Sequence, residues 1–422
     1  MKKYGIFVFA LLAFTTSSAF SQEQDTTAQN SCHNLAHPAN NTRCPMHPMT
    51  LTNDAQYSMH LQKETPLSAQ DLVHGIQHLM LYIDATGFFY DAEYASPFAK
   101  GYTVTGFRLS PTLAYGINQR AQLRIGLNVT MFAGLDSLYK VRPTFSLVYM
   151  PTRWLQIVAG TLTGSHFHEL GDPVYDPSRW IYNYQEDGLQ IITNTRHWTS
   201  DTWLDWSHYL TPWTADQERF TMGSRHEIEV LHLTDKASVT IPFHFVANHR
   251  GGEVKTIDTN TVTTFSERAG IRVQYFFNHS RLTFDMPFYL YHLEDNTLDH
   301  KGNGFYPAIS YEYSNINNIE AKGICFRATA GFWHGDHFFS AYGNPSFWSA
   351  NNYSALHMPT GSYNASINSD VRNMLTFNLS LEQEFRGLNL GLQALACHDM
   401  GLGKTDFFVS FIMRYKGKFF IF

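Results

Sequence analysis

The feature that most constrains this chain is a strict alternation of apolar and polar residues in segments of about ten residues, which recurs from His74 to Phe422. From Arg120 to Met131 the alternation has no exception, because every second position is apolar: Ala121, Leu123, Ile125, Leu127, Val129 and Met131. A period of two is typical of β-strands that bury one face. Counting similar segments along the chain predicts about sixteen strands.

Composition excludes several other classes. Charged residues make up 16% of the chain and aromatic residues 15%, which is unlike a disordered protein. Beyond the N-terminus there is no run of about 18 apolar residues, so a bundle of transmembrane helices is excluded. The formal net charge is -6 and there is no dense block of Lys and Arg, which argues against nucleic acid as a partner.

The connections between the predicted strands are alternately short and long. Tight turns are predicted at Gly116–Gln119, Pro151–Arg153, Asn278–His279 and Arg386–Gly387. The stretches 164–187, 292–303 and 334–371 are long and rich in aromatic residues, Gly, Asn and Ser. Short periplasmic turns and long extracellular loops are typical of outer-membrane barrels. We therefore expect an all-β fold, a transmembrane antiparallel β-barrel, with a soluble β-sandwich or β-propeller as the alternative.

The C-terminus resembles that of Gram-negative outer-membrane β-barrel proteins, including porins. Phe407, Val409, Phe411, Met413 and Tyr415 alternate with polar residues for the most part, and the chain ends in Phe419-Phe420-Ile421-Phe422. The resemblance implies recognition by the barrel assembly machinery and residence in the outer membrane. Gly417-Lys418 interrupts the alternation just before the end.

Three regions are expected along the chain. Residues 1–22 form a signal peptide, with basic Lys2 and Lys3 followed by an apolar run from Gly5 to Phe14. Residues 23–73 are polar and form a flexible periplasmic extension, and residues 74–422 form the barrel.

The extension contains a cluster of soft metal donors. Its core sequence, Cys44-Pro45-Met46-His47-Pro48, resembles the short heavy-metal-binding domain of copper-efflux proteins, and Met49 follows it. Thiolate and thioether donors suit Cu(I), and imidazole suits copper or zinc. The resemblance implies a metal site at Cys44, Met46, His47 and Met49. A disulfide between Cys32 and Cys44 is the alternative.

If the apolar face of each strand contacts lipid, the polar face lines the interior. Sixteen strands enclose a lumen that is wide enough for water. We expect the pore to be lined by basic and acidic side chains, namely Arg108, Arg120, Arg124, Arg142, Arg268, Arg272, Arg281, Arg327, Glu227, Glu229, Glu382 and Glu384. The alternative is that these charges pair and fill the barrel. The segment 334–371 is expected to fold inward as a constriction, or to cap the mouth from outside.

The expected function is therefore passive, porin-like passage of small solutes or ions across the outer membrane. One alternative is a metal-handling protein that captures copper or zinc with the extension, and another is a closed surface-binding barrel. Outer-membrane lipid is an expected partner, and a homotrimer is possible by resemblance to porins. No His-x-Ser pair suited to ester hydrolysis was found on either face, so enzymatic activity is not expected.

Overall fold

A computed structural model describes residues 78–163, 168–209, 217–233, 236–251, 261–277, 279–295, 299–314, 322–349, 370–385 and 388–421. The residues expected to form a signal peptide, an extension and a metal site lie outside this part of the chain. Within the described residues there are seventeen strand segments: β1 (Leu79–Glu93), β2 (Tyr102–Asn118), β3 (Ala121–Phe132), β4 (Lys140–Thr152), β5 (Leu155–Thr161), β6 (Asp187–Asn194), β7 (Trp198–His208), β8 (Glu218–Leu233), β9 (Ala237–Gly251), β10 (Val262–Phe277), β11 (Ser280–Asp295), β12 (Asp299–Phe305), β13 (Ala308–Ser314), β14 (Lys322–Asp336), β15 (Val371–Phe385), β16 (Leu388–Asp399) and β17 (Lys404–Phe420).

The strands form one closed antiparallel sheet. Each segment pairs with its neighbours in the chain, except that β12 and β13 do not pair with each other, and β1 pairs with β17 from Met80 opposite Phe420 to Glu93 opposite Phe407. Gly417 lies within this pairing and does not shift its register. Closure leaves no open sheet edge, as the hydrocarbon region of a membrane requires.

Segments β12 and β13 occupy one strand position. Both pair with β11 in a single continuous register and with β14 in another, and Tyr306 and Pro307 interrupt them. Proline has no backbone N–H to donate to the neighbouring strand. The seventeen segments therefore form sixteen barrel strands, which confirms the predicted fold.

The outward face of the sheet is apolar and the inward face is polar, which is the reverse of a soluble protein. Outward side chains in mid-strand are large and apolar, such as Ile125 and Phe145, each 54% exposed. Inward side chains are polar and buried, such as Gln122, Gln190 and Thr283. Such an apolar outer surface is suited to lipid. Among the described residues, none forms a helix long and apolar enough to span a membrane.

The two ends of the barrel differ in the length of the connections between strands. The turns after β2, β4 and β10 each span two residues, overlap the predicted tight turns and lie at the same end as Leu79 and Phe420. The connections after β5 and β14 lie at the opposite end and span 25 and 34 residues between the bounds of their strands. By the usual arrangement the short turns are periplasmic and the long connections extracellular. The protein is an outer-membrane β-barrel.

Replacing Ile125 with Arg tests the lipid-facing assignment. Ile125 lies near the middle of β3, so a charge there loses water without gaining a partner. We expect Ile125→Arg to lower the free energy of unfolding by about 2–4 kcal/mol, measured by urea titration in lipid vesicles. Ile125→Leu is the matched control and keeps nearly all of the stability. Equal stabilities of the two variants would contradict the assignment.

Candidate functional site

Two extracellular connections fold into the outer half of the barrel and form its core. The first, residues 168–186, contains a 3-10 helix at Pro177–Ile181; the second, described for residues 337–349, contains another at Pro345–Phe347. The buried aromatic and aliphatic residues of this inner core come from both connections and from the wall: Leu170, Val174, Tyr175, Tyr289, Tyr291, Tyr306, Trp333, Phe338, Phe339, Phe347 and Trp348. The described part of the second connection thus folds inward.

Arginines of the wall hold these two inner segments in place. Arg372 donates to the backbone oxygens of Ser346 at 2.7 Å and Trp348 at 2.6 Å, and its Nε bonds Asp399 at 2.7 Å. Arg108 donates to the backbone oxygens of Trp180 and Ile181 at 2.8 and 3.1 Å. Buried carbonyl groups need such partners, so the inner segments and the wall form one packed unit.

His168 anchors the first inner segment through both of its ring nitrogens. Nε2 lies 2.7 Å from Glu186 and Nδ1 lies 2.8 Å from Asp201. The imidazole stacks on Trp203 at 3.4 Å between ring centroids, and Tyr175 donates to the other oxygen of Glu186. Both nitrogens carry a proton in this arrangement, so the ring is a cation held between the carboxylates of Glu186 and Asp201. We refer to this arrangement as the His168 clamp.

The pKa of His168 reflects opposing effects. Burial, the largest single influence, lowers this pKa, but the carboxylates of Asp201 and Glu186 together outweigh burial and raise it to about 9 from 6.5. The ring is therefore protonated at neutral pH. The next residue, Glu169, pairs with Arg225 of β8 at 2.9 Å, which adds a second ionic link to the wall.

Below the inner core, ion pairs fill much of the barrel. Glu227 and Asp285 both pair with Arg272, at 2.7 and 3.0 Å, and Asp285 also pairs with Arg268 at 2.8 Å. A second group joins Glu312 to Arg281 at 2.7 Å and to Arg327 at 2.8 Å. All these side chains are buried. Buried charges are tolerated only when they are paired in this way.

The twelve residues predicted to line a pore fall in four places. Those buried in ion pairs or against the inner core are Arg108, Arg268, Arg272, Arg281, Arg327 and Glu227. Three are half-buried with partners, namely Arg124 with Gln122, Arg142 with Asp187, and Glu229 with His197 and His232. Glu382 is buried in β15, and the Glu384 side chain lies outside the described residues. Arg120 lies in the exposed periplasmic turn after β2.

A cavity of about 850 Å³ opens at the extracellular mouth above the inner core. Its lining carries four permanent cations, Lys100, Arg179, Arg219 and Arg250, and Asp176 is the one carboxylate among its described residues. Aromatic side chains complete it: Tyr94, Tyr102, Tyr182, Tyr342 and Trp348. We refer to this cavity as the vestibule.

Three basic residues of the vestibule lie side by side on adjacent strands. His208 of β7 is opposite Arg219 of β8, which in turn is opposite Arg250 of β9. Guanidinium groups bind phosphate and carboxylate through charge-assisted hydrogen bonds, so this row is suited to a phosphate or carboxylate group.

A hydroxyl–imidazole pair that sequence reasoning missed lies on the lipid-facing surface. Ser224 Oγ is 2.8 Å from His226 Nε2 and 2.7 Å from Thr202 Oγ1. In the sequence, this pair is visible as a Ser-x-His pattern, which places Ser224 and His226 on the same face of β8. Trp198 Nε1, which can only donate, bonds His226 Nδ1 at 3.3 Å. The neutral ring therefore carries its proton on Nε2 and donates to Ser224, so it is not set to accept the Ser224 proton.

Comparison with known proteins then identifies the family. The sequence model described as lipid A 3'-O-deacylase-type matches residues 69–422. The chain belongs to this family. The family is one of enzymes, so the expectation that the chain has no enzymatic activity is wrong. A His-x-Ser pattern is too narrow a criterion to recognise an enzyme of this family.

Other comparisons are weaker. No curated protein matches the sequence. Solved structures similar to this member of the family include OmpT of Vibrio cholerae, at 9% identity and a TM-score of 0.44, covering 80% of this chain and 97% of that one. The anion-selective porin of Comamonas acidovorans has 9% identity and a TM-score of 0.43, with coverage of 80% and 98%. OprD of Pseudomonas aeruginosa has 8% identity and a TM-score of 0.40, with coverage of 82% and 95%.

The His168 clamp predicts a dependence of stability on pH. A pKa raised from 6.5 to about 9 in the folded state corresponds to about 3 kcal/mol. This contribution is fully present below pH 6.5 and is lost as the pH rises through about 9. Thermal unfolding of wild type should therefore show a larger loss between pH 7 and pH 10 than that of His168→Asn. Parallel curves for the two proteins would contradict the clamp.

Proposed function

We propose that the protein removes an ester-linked acyl chain from a lipid A-type glycolipid of the outer leaflet, and that the vestibule holds the anionic sugar headgroup. The observation that carries the proposal is the row His208, Arg219 and Arg250 at the extracellular mouth. Family membership supplies the reaction class. Lipid A is a phosphorylated, acylated disaccharide, and its two chemical parts fit different surfaces of this barrel.

The headgroup matches the vestibule in charge and in surface. Guanidinium groups bind phosphate with charge-assisted hydrogen bonds, often in pairs. Tyr102, Tyr182 and Tyr342 offer apolar ring faces with polar hydroxyls, a combination suited to sugar rings. The inner core closes the cavity from below, since Phe338 and Phe339 beneath it are fully buried. The headgroup is therefore held at the mouth and does not pass through.

The acyl chains match the outer wall. At the mouth, the outward side chains of Phe220 and Phe265 lie near the extracellular ends of β8 and β10. Chains that remain in the outer leaflet while the headgroup enters the vestibule must cross the rim between these two surfaces. The scissile ester, which joins headgroup to chain, would then lie at the rim.

Removing vestibule arginines tests headgroup binding. Arg250→Ala and Arg219→Ala should each weaken binding of purified lipid A by roughly 10- to 100-fold, because each removes charge-assisted hydrogen bonds worth about 1.5–3 kcal/mol. Binding is measured by titration of the folded protein in detergent at two salt concentrations. Arg120→Ala, at the periplasmic end, is the matched control and leaves the affinity unchanged. Wild-type affinity in all three variants would contradict the proposal.

Passage of small solutes is a second proposed function. The vestibule and the width of a sixteen-strand barrel support it, but passage requires the inner segments to move. Planar-bilayer recordings should then show stepwise openings, and these should become more frequent in His168→Asn, in which the clamp is lost. Silence from both folded proteins would rule passage out.

Capture of copper or zinc by Cys44, Met46, His47 and Met49 also stays a proposal, since these residues lie outside the described part of the chain.

A further inference from the structure

Cys325 faces the interior of the barrel near its periplasmic end. It lies close to Lys322, the first residue of β14, and is only 4% exposed. Side chains alternate along a strand, so Cys325 shares its face with Arg327, whose guanidinium group pairs with Glu312 inside the barrel. A sulfur atom bonded to Cys325 must therefore lie inside the barrel as well.

The bonding state of the cysteines narrows the choice of partner for Cys325. Cys325 is disulfide-bonded, whereas Cys397 is a buried free thiol. The chain has four cysteines, and the other two, Cys32 and Cys44, both belong to the expected extension, residues 23–73. Within one chain, the partner of Cys325 is therefore Cys32 or Cys44.

The course of the chain allows either cysteine to reach this position. β1 begins at Leu79 at the periplasmic end, so the preceding residues approach the barrel from the end near which Cys325 lies. About 35 residues separate Cys44 from Leu79, and a chain of that length can span up to about 120 Å. The hydrocarbon core of a bilayer is about 30 Å thick, so the extension is long enough to enter the barrel from below.

Buried polar side chains surround Cys325. Ser314 of β13 lies directly opposite it on one side and Glu382 of β15 on the other. Ser314 is fully buried, yet its Oγ has no hydrogen-bond partner among the described residues, and neither has Oδ1 of Asn389, a buried residue of β16. Buried polar atoms normally have partners. This part of the interior is therefore suited to a segment that supplies backbone N–H and C=O groups.

We propose that Cys32 or Cys44 forms a disulfide with Cys325, and that the extension docks inside the periplasmic half of the barrel. Disulfides form in the oxidising periplasm, here by exchange with a disulfide-bearing oxidant. The two cysteine thiols lose two electrons and two protons, which reduce the oxidant's disulfide to two thiols. If Cys44 is the partner, its sulfur cannot bind Cu(I) as a thiolate, and metal capture requires reduction of this bond.

The linkage also assigns a role to the extension in the fold. The two inner connections fill the outer half of the barrel, so the lower half is open to a segment that enters from the periplasm. One covalent bond to β14 holds such a segment in place without any change in the wall. It also excludes a bond between Cys32 and Cys44, since each cysteine forms a single disulfide.

Peptide mapping of the folded full-length protein, purified without reductant, tests the pairing. Free thiols are alkylated before denaturation and digestion with trypsin, which places the four cysteines in four different peptides: the N-terminal peptide that ends at Arg43, and residues 44–63, 323–327 and 387–404. We expect mass spectrometry to find 323–327 joined to one of the first two peptides and 387–404 alkylated. The joined peptide identifies the partner as Cys32 or Cys44.

An alkylated Cys325, or Cys325 joined to Cys397 or to a second copy of the chain, would overturn the proposal. Stability provides an independent measurement. Reductant should lower the urea midpoint of wild type and of the matched control Cys397→Ala, because a disulfide restricts the unfolded chain, and should leave that of Cys325→Ala unchanged. A shift in Cys325→Ala as large as that in wild type would also overturn it.

Discussion

In a lipid environment no water is available to satisfy backbone N–H and C=O groups, and the rest of this structure depends on how the chain meets that constraint. The pairing of β1 with β17 closes the sheet, so every strand has two neighbours. Closure with sixteen strands creates an interior too wide to be filled by strand side chains alone. The protein must therefore hold water inside or bring in more chain.

In its outer half, this chain fills the interior of the barrel with two connections. Below them, buried ion pairs fill much of the interior. Residues 168–186 and 337–349 contribute an aromatic core that packs on inward residues of the wall. The arginines Arg108 and Arg372 satisfy carbonyl groups of these segments, and His168 and Glu169 link the first segment to β7 and β8. The vestibule is the space that remains above the core. Its basic row therefore lies at the extracellular mouth of the barrel.

Alternation and most connection lengths were sufficient to predict the fold, but the stretch 292–303, expected to be a long connection, lies mostly in β11 and β12. Each depends only on residues close in sequence, such as the run from Arg120 to Met131 or the turn at Asn278–His279. The interruption at Pro307 was not foreseen, because a break inside one strand position looks like two strands in sequence. Most of the arginines predicted to line a pore are buried inside the barrel, but their ion-pair partners come from other strands, and pairing depends on register.

The candidate site was harder to predict for the same reason. His208, Arg219 and Arg250 are adjacent only because β7, β8 and β9 pair in one particular register. A shift of one residue would move each side chain to the opposite face. Nor is the enzyme family visible in a short His-x-Ser motif, since the family match depends on residues 69–422 as a whole. The residues proposed to carry the function come from different strands and meet only in the folded barrel.

The central claim is that two extracellular connections form a packed core inside the barrel, and hydrogen exchange tests it most directly. Mass spectrometry of the folded protein in detergent should find amides of 170–182 and 338–348 protected for times comparable to those of the neighbouring strands β11 and β14. Residues 136–138 of the connection after β3, which are exposed at the same end, should exchange within seconds and serve as the internal reference. Exchange of the two inner segments as fast as this reference would contradict the account.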